Sequence, residues 1–200
     1  MKIEGIVDRR EIIEHYLRLE NRKGSPIPFP YPNLPWDDVN ALDCWFDKHH
    51  YKTGVISGFR HWGVAILSYE DVLDCAIVSH IFRAPSQRLG DLLRLGCLDT
   101  WKPGNPNRYW EQPVHKGESI PRQWGLIMRG ALPRERARFY VEDGNGRATW
   151  FAAQRGEASR TAYAFIGFDP DPASHWLRKN LESHFYRHAQ RYARLQDFLG

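Results

Sequence analysis

A chain of 200 residues is long enough for one full hydrophobic core and too short for two ordinary domains. Apolar residues at 42%, with 8 Trp, 9 Tyr and 10 Phe, exclude global disorder. The net charge of +4 is unevenly placed: residues 108–200 hold 15 of the 28 Lys/Arg but 10 of the 24 Asp/Glu, and 13 of those 15 cations are Arg, the side chain suited to forked contacts with phosphate. No stretch approaches the roughly 20 apolar residues of a membrane span, and the start lacks the pattern of a signal peptide, so the expected compartment is the cytoplasm, with no membrane partner. Cys44, Cys75 and Cys97 are odd in number and widely spaced, which points to reduced packing residues rather than a disulfide framework or a zinc knuckle.

In chain order, the spacing of Ile12, Ile13, Tyr16, Leu17 and Leu19 predicts an opening helix capped by Asp8. Residues 24–35 carry a proline at nearly every second position and read as an extended strap. A short helix over Asp37 to Lys48, with Val39, Leu42, Trp45 and Phe46 inward, precedes a strand from Phe59 to Leu67. Ser68, followed by Glu70 and Asp71, then caps a helix running to about Val78. A helix from Ser86 to Leu95 ends at Gly96. Residues 101–121, broken by Pro and Gly, form a long loop of the kind that is often functional, and Trp101, Tyr109, Trp110 and Trp124 in or near it are candidates to stack bases. A strand from Arg136 to Glu142, a helix from Ala148 to Arg155, a strand from Ala162 to Phe168 and a last amphipathic helix after Ser174 complete an α+β pattern.

The string Asp143-Gly-Asn-Gly-Arg147 turns the chain from strand to helix. Gly144 and Gly146 around Asn145 allow positive φ and close approach of a ligand, and free amides at a helix start attract anions. Arg147 adds a permanent cation, while Glu142 and Asp143 are candidates to hold a divalent metal or act as general base. Arg134, Arg136 and Arg138 alternate as they would along one face of a strand, and Arg187, Arg191 and Arg194 share one side of the last helix; both sets are candidate contacts to a nucleic-acid backbone. His184 and His188, one helical turn apart, are the other candidate metal pair; no H-E-x-x-H pattern and no G-x-S-x-G elbow occurs.

The central five residues resemble the Fic core motif, but Phe139, Val141 and Trp150 stand where its catalytic His, its Phe and its second Arg belong. The wider context of strand, acidic residue, glycine, Arg and helix resembles the ParB/sulfiredoxin superfamily, and in size and design its small plasmid fertility-inhibition members. Asn145 departs from the Cys of sulfiredoxins and the Glu of partition proteins. The resemblance implies a mixed small sheet with surrounding helices in a single domain 1–200. Residues 1–58 would pack as a helical, Pro-rich part on a core at 59–170, and 171–200 would form the C-terminal helix. It further implies ATP or another nucleoside triphosphate and a divalent metal such as Mg as cofactors, with ATPase or DNase chemistry at Glu142, Asp143 and Arg147. DNA and a conjugation or type IV secretion component are the implied partners, and interference with conjugative transfer the implied role. The alternative reading is a non-enzymatic module that binds nucleic acid or a secretion component through its Arg faces.

Overall fold

The computed structural model describes residues 1–22, 34–48, 54–78, 86–99, 118–132, 135–154, 159–179 and 181. The chain opens on a strand that hydropathy does not reveal, β1 (Lys2–Asp8), exposed along nearly its whole length. Asp8 then accepts the Glu11 amide at 3.1 Å and starts α1 (Arg9–Arg22), the cap expected of it. Asp38 caps α2 (Val39–Lys48) in the same way, taking the amides of Asn40 and Ala41. The strap lies mostly outside the described residues.

After a 3-10 turn at Gly54–Ile56 comes β2 (Phe59–Ser68), ended by a complete capping box between Ser68 and Asp71 that begins α3 (Tyr69–Leu73). This helix does not reach Val78. The next residues instead form β3 (Ala76–Ile77), because Ala76 and Ile77 pair in parallel with a strand some 60 residues later in the chain, a tertiary contact that overrides local helical spacing. Helix α4 (Leu89–Arg94) follows, with Gly96 at φ +69 just beyond its end. Residues 126–130, which carried no sequence assignment, are β4 (Leu126–Gly130). Then come β5 (Phe139–Asp143), α5 (Asn145–Ala153) and β6 (Thr161–Pro170).

Among the described residues six strands form one mixed sheet of order β1-β2-β6-β4-β5-β3, so the protein is α+β. Pairs β1/β2, β2/β6 and β4/β5 are antiparallel; β6/β4 and β5/β3 are parallel. Since β1 belongs to this sheet, the sheet begins well before residue 59, where the core was expected to start. Strand alternation divides the interior in two. Trp62, Val64, Ile127 and Phe165 face Ile12, Ile13, Tyr16, Leu17, Leu42 and Phe46 of α1 and α2. Ala65, Leu67, Leu126, Met128, Val141 and Ile166 face Val72, Leu89, Leu92, Ala148 and Phe151 of α3, α4 and α5. The sheet is therefore a middle layer with helices on both sides.

Two polar ties anchor the chain after β6. Asp43 of α2 is buried and accepts from Ser57, from Ser174 Oγ at 3.3 Å and from the Trp176 amide at 3.2 Å, closing the start of the helical residues 175–179. Asp171 takes Arg9 Nη2 at 2.7 Å, with Arg60 Nε at 3.7 Å. Burial raises the Asp171 carboxyl, but the bonds from Arg9 and the Ala173 amide and the charges of Arg9 and Arg60 outweigh it, leaving the group below the ordinary carboxylate range. A folded-state pKa below the unfolded one adds stability that is present above the unfolded value, about 3.9, and is lost as pH falls through the folded value. Asp171→Asn is expected to lower stability at pH 7 and to leave it less steeply dependent on pH below 4, read from urea midpoints between pH 7 and pH 2. An acid limb as steep as that of the parent chain would contradict this.

The three cysteines are free. Cys75 is buried, with its thiol pushed up to about 12, chiefly by burial and then by Asp71 and Asp74. Cys97 is half-buried, and Cys44 lies exposed on α2, which corrects its reading as a packing residue.

Candidate functional site

The β5–α5 turn is built by a bulge followed by a glycine. Ile127 pairs with Asp143 while Met128 pairs with Val141, so Glu142 is the extra residue of β5 immediately before the turn. Gly144 then sits at φ +88, ψ +18. A Cβ there would lie 2.8 Å from Leu126 Cδ2 and 2.7 Å from an Arg147 guanidinium nitrogen, so the position demands glycine on both conformational and packing grounds. Helix α5 starts at Asn145, three residues earlier than its sequence pattern suggests, and the motif thereby supplies the first helical turn itself. The first helical bond runs from the Ala148 amide to the Gly144 carbonyl at 2.8 Å. Gly144 brings no side chain to cap this end, and the amides of Asn145, Gly146 and Arg147 precede any intrahelical acceptor at the helix start.

Arg147 is only 3% exposed. Its guanidinium folds back beneath the turn, 3.1 Å from Asp143 Oδ2 and 3.5 Å from the Gly125 carbonyl, and its Nε is buried without an acceptor. Asn145 Nδ2 donates to the Glu142 carbonyl at 3.1 Å, closing the turn from above. The Arg147 charge is thus fixed under the motif rather than extended into solvent.

Glu142 is held by a residue that sequence reading did not single out. Arg129 of β4 donates through Nε to Glu142 at 2.6 Å and through Nη2 to Glu135 at 2.8 Å, and stacks on the Tyr140 ring at 4.7 Å. Burial pushes the Glu142 carboxyl up; Arg129 opposes this only in part, because the same cation also serves Glu135, whose charge adds to the rise. Burial works against the charge on Arg129 as well, but Glu135 and Glu142 together outweigh it and hold the guanidinium charged.

These pairings bear on the metal expectation. The carboxylates of Glu142 and Asp143 are engaged by Arg129 and Arg147, and among the described residues no three His, Cys, Asp or Glu side chains converge. The donor set does not fit a divalent cation in this arrangement. A phosphate group suits the uncapped amides better, because it needs donors, not acceptors.

The arginine faces are only partly described. Arg136 and Arg138 lie in a bend before β5, both exposed, with Arg138 over the Phe139 ring at 5.1 Å. They do not alternate along a strand as expected, because β5 begins only at Phe139, after the Arg136 and Ala137 amides have bonded the Tyr140 hydroxyl. Arg134, Arg187, Arg191 and Arg194 lie outside the described residues, as do His184, His188, Trp101, Tyr109 and Trp110. Trp124 is half-buried against the core.

A cleft of about 270 Å³ lies near the turn, lined by Glu11, Glu14 and His15 of α1 with Arg122, Gln123 and Phe165. The Gly125 carbonyl joins the two places, lying 3.2 Å from His15 Nε2 and 3.5 Å from Arg147 Nη2. No sequence signal marked this cleft, since its walls come from segments more than 100 residues apart.

Fold and site together define an α+β protein with a six-stranded mixed sheet and a glycine turn opening an uncapped helix over a buried arginine. Comparison with protein-family models, with curated proteins and with solved structures finds no match to this chain.

Proposed function

We propose that the chain is a phosphate-binding module whose β5–α5 turn receives a phosphate of a nucleotide or of a nucleic-acid strand. The observation that carries this reading is the start of α5, where three consecutive amides follow a left-handed Gly144 with no side-chain cap. The positive end of the helix and the buried Arg147 both favour an anion there. Asp143 is the opposing charge. Its pairing with Arg147 at 3.1 Å is longer than a tight charge-assisted bond, so the buried guanidinium keeps part of its field at the turn while the amides make the direct contacts to a phosphate.

This favours the binding alternative over hydrolysis. An ATPase or DNase of the ParB/sulfiredoxin kind would require Glu142 or Asp143 to be released for water or Mg, and both are engaged by arginines. DNA as the phosphate-bearing partner draws support from Arg136 and Arg138, which are exposed at the far end of β5, about 15 Å from the turn at the usual rise per residue. That separation spans more than one phosphate along a strand.

Titration of labelled protein with inorganic triphosphate, ATP and a single-stranded oligonucleotide, followed by amide NMR, tests the proposal. Shifts are expected at Asn145, Gly146 and Arg147, and are expected to weaken at least tenfold in Gly146→Asp, which places a repelling carboxylate at the helix start while keeping a charge that suits the helix. Unmoved amides at 145–147 with every ligand would overturn the reading. Turnover of ATP or DNA that requires Mg and disappears in Glu142→Gln would restore the hydrolase in its place.

A further inference from the structure

The sheet has two unlike edges. At one end β3 is two residues long and buried. At the other, β1 offers seven residues, pairs only with β2 among the described residues, and keeps Ile3 63% and Ile6 69% exposed. A long exposed edge carrying apolar side chains is a template for pairing with another strand. Most proteins blunt such an edge.

The blunting device present here is a bulge. Ile3 pairs with Ala65 and Gly5 with Val64, so Glu4 is the extra residue, and Ile3 and Ile6 fall on the same face although three positions separate them. Gly63, opposite Ile6, has no side chain, and the 40% exposed Phe168 leans over it, 3.5 Å from the position its Cβ would take. Ile3, Ile6 and Phe168 thus make one exposed apolar strip on the side of the sheet that carries α3 to α5.

The bulge decides which strand fits. A regular strand laid along β1 meets a one-residue slip at Glu4, which sends its side chains to the wrong face. A second copy of β1, antiparallel about a two-fold axis between Glu4 and Gly5, carries the same bulge at the symmetric place. Ile3 then faces Ile6 of the second copy, Ile6 faces Ile3, and Lys2 faces Val7, each pair on matching sides of a continuous sheet. Glu4, which would otherwise approach its own copy across the axis, is already ion-paired with Lys2 at 3.5 Å. We propose that β1 is the seam of a two-fold dimer, a twelve-stranded sheet made from two copies of this chain.

Seven residues span about 23 Å, and a strip of that length and about 10 Å in width on each face buries somewhat under 500 Å² per copy. That is at the low end for specific interfaces, where about 800 Å² per partner is standard, so the dimer is a reversible one that depends on concentration.

Sedimentation velocity of the full chain from micromolar to millimolar concentration tests the proposal. The expected result is a rise from the 23.4 kDa monomer toward twice that mass, abolished in Ile6→Lys and in Ile3→Lys. Both positions are exposed, so the variants should retain the parent circular dichroism, and amide NMR of β2 provides a second check that the sheet is intact. A monomer throughout the range, or a dimer unchanged by both substitutions in folded protein, would overturn the seam. The result is independent of phosphate binding at the turn, which is read at residues 145–147.

Discussion

Arg129→Met is expected to lower the stability of this protein by about 3–5 kcal/mol, the cost of leaving a buried carboxylate without its cation. Arg129 is 5% exposed and bonds both Glu135 and Glu142, so its loss strands two acids within one wall of the sheet. Urea unfolding read by tryptophan fluorescence gives the change directly. Replacing all three members by apolar residues of similar volume should recover most of the loss, since a buried triad is costly to break rather than strongly stabilising in itself. Glu142 adds a pH signature. Its folded-state carboxyl lies above the ordinary value, so its contribution to stability is present below the unfolded value, about 4.3, and is lost as pH rises through the folded one. Glu142→Gln should therefore remove a falling limb of stability above pH 4. A change of less than 1 kcal/mol in Arg129→Met would show that the triad is not closed as described.

Gly144→Val is the second large effect. The position has φ +88, which costs an L-residue about 1–2 kcal/mol, more for a β-branched one. Overpacking against Leu126 and the Arg147 guanidinium adds about 1–3 kcal/mol. The expected loss is about 2–5 kcal/mol on these two grounds together, measured by chemical denaturation. Gly144→Asn should lose less than Gly144→Val, because Asn tolerates the left-handed region and only the packing cost remains in full. Equal stability of parent and Gly144→Val would mean that the turn relaxes to an ordinary conformation and that the start of α5 is not held open by glycine. Loss of the phosphate-dependent NMR shifts in Gly144→Asn, with the fold retained, would tie the geometry of the turn to binding.

Much of the fold is legible in the sequence where local chemistry decides. Asp8 and Ser68 announce helix starts because their side-chain oxygens bond the amides that a helix leaves free, as Asp38 also does one residue beyond the expected start at Asp37. The strands β2 and β6 are apolar runs between turn residues, and Gly144 is legible as the positive-φ position because glycine adopts it without strain. What escaped is what non-local pairing decides. β1 has few buried side chains and so no periodic signal; β3 is two residues made into a strand by β5; β4 is short and follows closely on a 3-10 turn at Arg122–Trp124.

At the candidate site the division is the same. The string Asp143 to Arg147 by itself determined a glycine-hinged turn entering a helix, because backbone freedom and free amides are properties of a few adjacent residues. Only the tertiary structure decided what its charged groups do. Arg129 reaches Glu142 across paired strands, the bulge makes Glu142 the extra residue before the turn, and the close packing of Leu126 and Gly125 leaves Arg147 under the turn and not in solvent. Those partners are set by sheet register, and register depends on which distant strands pair, which no local spacing encodes.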